Sequence, residues 1–179
     1  MAAEEILVFD TGPLSHFALA DWLGVLKAVV GGRQAVVPDV VADELRAGGA
    51  TDSRISRTVE LPWIEIRALH TDEEIICFAH FASRLVKGNR NVGEAGVLAL
   101  ARTMSATAVV DDRAARKLAR ESGVTLRPTL ALLADAIRQD LLTVKLAGAL
   151  ADDLLATEYH LPFVAGGFEE WAAENGLFG

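Results

Sequence analysis

Short apolar runs alternate with segments of helical spacing along most of this chain. Residues 6–9 and 35–37 are continuous apolar runs, and residues 106–110 are apolar except for Thr107, which is typical of strands buried on both faces of a sheet. Each run is followed by a stretch in which apolar residues recur three or four positions apart, the spacing of an amphipathic helix. Strand followed by helix, repeated in this way, predicts a parallel sheet covered by helices.

The same pattern places the remaining elements of the first three quarters of the chain. Residues 64–69 alternate between apolar and polar side chains, as a half-exposed edge strand does, and residues 124–126 form a further short strand. Thr71 and the acidic residues after it are typical of a helix start. Helices are predicted at 14–18, 23–30, 39–47, 51–60, 71–87, 92–104, 113–122 and 129–142.

Residues 143–179 have a different character. A helix passes through Leu146, Leu150, Leu154 and Leu155, and a last helical turn is predicted near residues 168–173. We therefore interpret residues 1–142 as the α/β domain and residues 143–179 as a helical C-terminal extension of the same domain.

The composition predicts one folded domain in a reducing compartment. Of the 179 residues, 51% are hydrophobic and 23% are charged, which excludes a disordered chain. Cys77 is the only cysteine, so a disulfide framework and a cysteine-based zinc cluster are both excluded. The N-terminus lacks the basic region of a signal peptide, and no apolar run approaches the roughly 18 residues of a membrane span. We expect a soluble, cytoplasmic protein with no membrane partner.

The charge balance restricts how the chain could contact nucleic acid. There are 25 Asp and Glu residues against 17 Lys and Arg residues, a formal net charge of −8. This is the wrong sign for a protein that binds phosphate backbones over its whole surface. Any contact with nucleic acid must therefore be local, or bridged by metal ions.

Aspartates directly follow two of the predicted buried strands. Asp10 comes after residues 6–9, and Asp111 and Asp112 come after residues 106–110. The carboxyl ends of parallel strands lie at one edge of the sheet, where ligands bind. The alternative is that each aspartate caps the following helix, and for either one alone the two interpretations are about equally supported.

Two glutamates lie on or beside the apolar faces of predicted helices. Glu94 is four residues before Leu98, and Glu44 is three residues after Val41. Buried charges persist only when they are paired or bound to metal, and neither face offers a neighbouring Lys or Arg. For each glutamate singly, an edge position that reaches water is an equally good interpretation.

Together, four acidic positions spread over the chain can converge at one place. Carboxylates without a Cys or His cluster favour Mg²⁺ or Mn²⁺ over zinc. Phosphodiester hydrolysis is the chemistry that such a cluster supports, because metal ions activate water and stabilise the leaving oxygen. Metal ions would also hold the phosphate that the acidic surface repels.

Four segments of the chain, in this order and spacing, resemble the PIN-domain ribonucleases, and among them the toxin subunits of VapBC-type toxin–antitoxin modules. The resemblance covers roughly residues 5–140. Glu94 stands where the toxins commonly have an aspartate, and the C-terminal extension exceeds the short toxin form. The matching segments are residues 7–14, 37–45, 93–101 and 108–113.

The resemblance implies a PIN-like three-layer α/β/α sandwich with a mostly parallel central sheet, and it implies roles for particular residues. The catalytic residues would be Asp10, Glu44, Glu94 and Asp112, and the metal ligands Asp10, Glu94, Asp111 and Asp112. Which member of the Asp111–Asp112 pair binds metal stays open. Thr11, Ser15 and Arg113 are candidates for positioning the substrate, although Thr11 is also a good helix-capping residue and Arg113 could be simply solvated.

The function predicted in this way is a Mg²⁺- or Mn²⁺-dependent endoribonuclease, the toxin of a toxin–antitoxin module. The alternative is a non-catalytic PIN-like module that binds RNA or protein. An RNA substrate, an antitoxin protein and a second copy of the chain are the expected partners. The homodimer is expected through the apolar face of the helix at 71–87, whose residues Ile75, Phe78, Ala82 and Leu85 could instead simply cover the sheet.

Overall fold

A four-stranded parallel sheet forms the centre of the protein. The computed structural model describes residues 5–177. The strand order is β3-β2-β1-β4, which places β1 and β2 inside the sheet, and all three pairings are parallel. The strands are β1 (Ile6–Phe9), β2 (Gln34–Pro38), β3 (Ile64–Arg67) and β4 (Thr107–Val109).

Helices cover this sheet in a three-layer α/β/α sandwich. A short 3₁₀ helix, Arg57–Glu60, follows the fourth α-helix. No helix within residues 5–177 is both long enough and apolar enough to cross a membrane. The α-helices are α1 (Thr11–Leu19), α2 (Leu23–Val30), α3 (Asp39–Gly48), α4 (Ser53–Ser56), α5 (Asp72–Leu85), α6 (Val92–Thr103), α7 (Arg113–Glu121), α8 (Thr129–Arg138), α9 (Val144–Ala156) and α10 (Phe168–Glu174).

The predicted alternation of strands and helices is confirmed, with two differences near residue 130. The strand predicted at 124–126 is reduced to a single parallel bridge between Ala108 and Leu126, so this segment only extends the β4 edge. The helix predicted at 129–142 ends earlier, at Arg138. Asp140 has a left-handed backbone conformation (φ 57°), which a continuing α-helix does not allow.

Helix α5 presents a different face to the core from the one predicted. Thr71 and Glu74 form a capping box at its start, and Glu74 is buried. Phe81 and Leu85 lie on the same face as Glu74 and are buried, whereas Ile75 is 51% exposed. The predicted apolar face is therefore wrong at Ile75, because the buried capping glutamate rotates that residue outward.

The core has a main part and a smaller part. The main core joins the sheet to the helices around it and includes Phe9, Phe17, Val36 and Leu98. The smaller cluster lies between α8, α9 and α10, and its members are Ala134, Ala147, Ala151, Phe168, Ala172 and Leu177. The extension predicted from residue 143 is thus helical. It packs on α8 through small side chains, Phe168 and Leu177, while Leu150 and Leu154 join the main core.

Gly96 allows α6 to pass close to the start of α3. A Cβ atom at this position would lie 2.5 Å from Cγ2 of Val40 and 3.3 Å from Cβ of Pro38. Val40 has a branched side chain on a helix and Pro38 has a fixed ring, so neither can move away easily. The close contact of these elements matters because α3 and α6 each carry one of the predicted acidic residues.

We expect Gly96→Ala to destabilise the protein by about 1–3 kcal/mol, because it overpacks this contact. For a domain of this size the melting temperature falls by roughly 2–4 °C per kcal/mol. Gly24→Ala is the matched control, because a Cβ atom at that position in α2 would meet nothing within 4 Å. The control gains helix propensity and should melt at the wild-type temperature or slightly above it. Thermal denaturation checks both variants, and a Gly96→Ala protein as stable as the control contradicts the expected clash.

Candidate active site at the ends of β1 and β4

Asp10 lies at the junction between β1 and α1 and is almost completely buried, with 6% of its surface exposed. Its backbone N–H donates to the carbonyl oxygen of Val109 (3.1 Å), which fixes it beside the end of β4. Asp10 occupies the N-cap position of α1, but its side chain makes no capping hydrogen bond. Its Oδ1 atom is buried without a partner among the residues that the structure describes. Helix capping therefore does not explain this carboxylate.

The surroundings of Asp10 disfavour its charged form. Burial raises the pKa of Asp10 well above its ordinary value, and repulsion from Glu94, Glu44 and Asp111 raises it further. The nearby backbone N–H of Thr11 offsets only part of this effect. The carboxyl group is therefore held in a strained electrostatic state that a nearby positive charge would relieve.

Glu44 connects the first turns of two helices. Its Oε2 accepts a hydrogen bond from the Thr11 hydroxyl in α1, and its Oε1 accepts one from the Gly93 N–H in α6 (3.0 Å). The N–H groups of a first helical turn have no partner within the helix, and a negative charge there is favourable. A Cβ at Gly93 would lie 2.7 Å from Glu44 Oε2, so glycine leaves the space that this carboxylate fills.

Glu94 follows in the same first turn of α6 and is half-buried. Burial raises the pKa of Glu94, and repulsion from Glu44 and Asp112 adds to the effect, against a hydrogen bond from its own backbone N–H. No ion pair to Lys, Arg or His relieves this carboxylate within residues 5–177, and the same holds for Asp10 and Glu44.

The two aspartates after β4 have different hydrogen-bond partners. Asp111 is half-buried, and its two oxygens accept hydrogen bonds from the backbone and hydroxyl of Thr129 (3.0 and 2.6 Å) and from the hydroxyl of Tyr159. Asp112 is exposed and caps α7, with Oδ1 accepting from the Ala115 N–H (2.8 Å). The capping interpretation is therefore confirmed for Asp112. Among the described residues, Oδ2 of Asp112 has no hydrogen-bond partner.

A cleft of about 470 Å³ opens over these acids. Asp10, Glu94, Asp111 and Asp112 all line it, so the structure brings four of the five predicted acids to one cavity. Glu44 is not part of the wall, because Thr11 and Gly93 hold its carboxylate behind it. The other residues of the wall are Gly12, Pro13, His16, Arg113, Glu158, Tyr159 and His160.

The three residues predicted to position a substrate are placed differently from one another. Arg113 is exposed and lines the cleft, at the start of α7. The Thr11 hydroxyl is directed to Glu44 rather than into the cleft. The Ser15 hydroxyl donates to the carbonyl oxygens of Thr11 (2.8 Å) and Gly12 (3.1 Å) within its own helix. Arg113 is therefore the member of this group that faces the cavity.

Tyr159 and His16 belong to the cleft although the sequence patterns assign them no role. Burial raises the pKa of Tyr159 well above its ordinary value, as do the charge of Asp111 and the hydrogen bond to it. The His16 ring packs against the Tyr159 ring with centroids 4.8 Å apart, and its Nδ1 lies 2.7 Å from the Thr157 hydroxyl. Burial lowers the pKa of His16. Tyr159 is the only tyrosine of the chain, and this is the one sequence feature that singles it out.

The donor chemistry of the cleft fits a hard divalent cation, because carboxylate oxygens are the ligands that Mg²⁺ and Mn²⁺ prefer. The buried Asp10 Oδ1 without a partner is the observation that favours a cation. However, no group of three or more His, Cys, Asp or Glu side chains within residues 5–177 is already arranged to hold a metal ion. The acids are thus close enough to repel one another, but their side chains do not form a complete set of metal ligands.

An all-parallel sheet between helix layers, with an acidic cleft at its carboxyl edge, is the arrangement of a PIN-like fold. The family model described as a PIN domain (DUF3368) matches residues 6–163. The chain therefore belongs to the PIN-domain family, whose members are generally nucleases. The match extends past residue 142 and includes Tyr159.

Comparison with individual proteins shows less about this chain than the family model does. No curated protein matches the chain in sequence. Seventeen chains of solved structures match it in fold. One of them is VapBC2 from Rickettsia felis bound to a DNA fragment from their promoter, with a TM-score of 0.48 and 14% identity. That match covers 69% of this chain and 98% of the other chain.

We expect Asp10→Asn to stabilise the metal-free protein at neutral pH by up to roughly 2 kcal/mol, because it removes a buried and repelled charge. The raised pKa of Asp10 fixes the sign of the pH dependence. The stability that protonated Asp10 gives is complete below about pH 4 and is lost as the pH rises through the raised native pKa. The advantage of Asp10→Asn should therefore grow with pH.

Urea denaturation in EDTA between pH 4 and pH 8 measures this effect. Asp43→Asn is the matched control, because Asp43 is 75% exposed and its pairing with Arg46 is a surface contact. Its unfolding free energy should stay within about 0.5 kcal/mol of wild type. A loss of stability in Asp10→Asn at pH 8 shows that Asp10 is not under electrostatic strain.

Proposed function

We propose that this protein is a metal-dependent endoribonuclease that hydrolyses phosphodiester bonds in RNA. The observation that carries the proposal is the convergence of Asp10, Glu94, Asp111 and Asp112 on one cleft, where none of them forms an ion pair with Lys, Arg or His among the described residues. Such an arrangement is unfavourable for folding unless it serves a ligand, because mutual repulsion and burial both raise the free energy of the charged form.

Asp10, Glu94 and Asp112 would hold a Mg²⁺ or Mn²⁺ ion. When bound, the ion supplies positive charge that lowers the pKa of water and stabilises the leaving oxygen. We assign the strand-end ligand to Asp112 because its Oδ2 is free of hydrogen bonds among the described residues. Asp111 has both oxygens engaged with Thr129 and Tyr159, and we propose that it positions the wall of the cleft.

The residues of the chain itself have distinct roles in this proposal. Glu94 is a half-buried carboxylate on the wall of the cleft, and we propose that the oxygen it does not give to the ion accepts a proton from the attacking water. Glu44 acts as a positioning residue, because it fixes the first turns of α1 and α6 that carry Asp10 and Glu94. Arg113 lies on the wall of the cleft and can contact a phosphate oxygen of the substrate.

A non-catalytic PIN module that binds RNA or protein is the second candidate. The observation that favours it is that no three potential ligands within residues 5–177 are arranged to hold a metal ion. Against it stands the convergence of four of the five predicted acids on the cleft, which a purely binding surface does not require.

For partners, we propose that the protein is a cytoplasmic toxin of a toxin–antitoxin module, and that it forms a homodimer. The sequence resemblance to VapBC-type toxins supports the antitoxin partner. The exposed isoleucines of α5 support a protein contact through this helix, and the β3 edge carries a further exposed isoleucine. Ile75 is 51% exposed, Ile76 is 69% exposed and Ile66 is 37% exposed.

We expect the protein to cut single-stranded RNA in Mg²⁺ or Mn²⁺ and to leave it intact in EDTA. Glu94→Gln should lower the cleavage rate by about 10²-fold or more, because it removes a proton acceptor at the reacting water. Asp10→Asn should be similarly inactive while remaining folded, and Asp43→Asn should cleave at the wild-type rate. Gel analysis of labelled RNA checks this, and cleavage that is unaffected by EDTA and by both site variants contradicts the proposal.

Metal binding should also appear as a change in stability. At about 100 times its dissociation constant, an ion bound only by the native state adds about 2.7 kcal/mol. Saturating Mn²⁺ should therefore raise the melting temperature by about 5–10 °C in the wild-type protein, and much less in Asp10→Asn. The second candidate, a non-catalytic binding module, requires that RNA binds without being cleaved and that Mn²⁺ does not raise the melting temperature.

The homodimer is testable at micromolar concentration by light scattering, which should give twice the mass of one chain. Ile76→Lys places a charge in the exposed apolar surface of α5 and should yield the monomer. Lys145→Glu on α9 is a control that changes charge outside this surface, and we expect it to remain dimeric. A monomeric wild-type protein contradicts this part of the proposal and leaves the nuclease activity unaffected.

A further inference from the structure

A second cavity, of about 640 Å³, lies next to the acidic cleft. We call it the tail groove, because α7 and α8 form one side and residues from 160 onward form the other. Asp111 and His160 line both cavities, so the tail groove and the acidic cleft share a wall. A volume between about 300 and 1,000 Å³ is typical of ligand sites in proteins.

Arg116 is the most informative residue of the tail groove. Its Nε atom is buried and has no hydrogen-bond partner within residues 5–177. The Arg116 guanidinium also forms no ion pair there, although most buried polar groups in native proteins are satisfied. A fixed positive charge that lines a cavity and lacks an acceptor indicates an anionic ligand.

Two further arginines line the tail groove. Arg127 and Arg138 both contact the carboxylate of Asp135, at 3.6 Å and 3.0 Å. One carboxylate cannot neutralise two guanidinium groups, so this pair keeps a net positive charge. With Arg116, the tail groove is lined by three arginines against the two carboxylates of Asp111 and Asp135, so it is locally positive on a chain whose net charge is −8.

The rest of the wall is apolar and includes an aromatic ring. Trp171 lines the groove, and its ring packs against Phe163 and Phe168, with ring centroids 5.5 Å and 6.0 Å away. Leu161 and Pro162 also line the groove. Aromatic rings next to basic side chains are a common way in which proteins hold single-stranded nucleic acid.

We propose that the tail groove binds the stretch of single-stranded RNA next to the phosphate held in the acidic cleft, with Arg116 contacting a backbone phosphate and Trp171 stacking on a base. This inference rests on the proposed function and names where its substrate extends. The shared wall is the reason to assign RNA to the groove, because a strand bound in the acidic cleft must leave it through an adjoining surface. A basic residue that does not line a cavity adjoining the acidic cleft would not lie on this path.

Binding of a fluorescein-labelled RNA 12-mer, measured by anisotropy in EDTA so that no cleavage occurs, tests the proposal. Arg116→Met should weaken binding at least about fivefold and reduce the slope of log K against log salt concentration by about 0.7, the contribution of one phosphate contact on a single strand. Trp171→Leu should weaken binding about 5-fold or more through loss of stacking. Arg57→Met removes an exposed arginine that lines neither cavity, and it should bind RNA as wild type does.

Folding of the variants is checked by thermal denaturation. Because Arg116 Nε has no partner among the described residues, Arg116→Met should melt at or above the wild-type temperature, so weaker RNA binding cannot be attributed to unfolding. Arg116→Lys restores the charge without the planar fork and should recover part of the affinity. Unchanged RNA affinity and an unchanged salt slope in Arg116→Met overturn the proposal, whether or not Trp171→Leu folds.

Two parallel measurements separate this inference from the proposed function. RNA cleavage by the wild-type protein in Mn²⁺ tests the nuclease, so binding that depends on Arg116 without any cleavage leaves the groove assigned and removes the enzyme. If the wild-type protein cleaves RNA but neither RNA binding nor KM changes when Arg116 is replaced, the nuclease stands and the assignment of the groove falls. A polyglutamate peptide of equal charge should compete poorly with the RNA, and equal competition overturns the assignment of the groove to RNA.

Discussion

The central constraint on this structure is that carboxylates of like charge are held close together at one edge of a parallel sheet. The surrounding structure compensates most of them with hydrogen-bond donors rather than with cations. Thr11 and the Gly93 backbone satisfy Glu44, Thr129 and Tyr159 satisfy Asp111, and the first turn of α7 donates to one oxygen of Asp112. Asp10 is repelled by Glu94, Glu44 and Asp111 and has an oxygen with no donor among the described residues. The remaining electrostatic strain is thus concentrated on Asp10, which fixes β1 to β4, and on Glu94, whose pKa is also raised by burial and by neighbouring carboxylates.

Sequence patterns could predict those parts of the site that depend on the geometry of a single strand or helix. Asp10 and Asp111 could be placed together because every strand of a parallel sheet ends at the same edge, and Glu94 because it lies on an apolar helical face. The hydrogen-bond partners could not be predicted in this way. Tyr159 reaches Asp111 across 48 positions of the chain, and nothing in the local spacing around residue 159 indicates that contact. The rotation of α5 was missed for a related reason, because periodicity alone cannot show that the capping Glu74 faces inward.

The C-terminal extension contributes to the site as well as to the fold. Tyr159 bonds to Asp111, and Thr157 lies within hydrogen-bond distance of His16, so the turn after α9 touches the cleft from two directions. The smaller hydrophobic cluster anchors α9 and α10 to α8, the helix whose first residue, Thr129, also contacts Asp111. A displacement of α8 or of the extension would therefore change the orientation of Asp111, although the acids themselves belong to the part of the chain before residue 143.

The contact between Glu44 and Gly93 couples the residue types at two positions that lie 49 residues apart. A Cβ atom at position 93 would lie 2.7 Å from Oε2 of Glu44, at the far end of a flexible side chain, so the carboxylate would have to move. Moving it would weaken the hydrogen bonds that it accepts from Thr11 and from the N–H of residue 93. A substitution of Gly93 would therefore loosen the connection between α1 and α6 without changing any of the acidic residues.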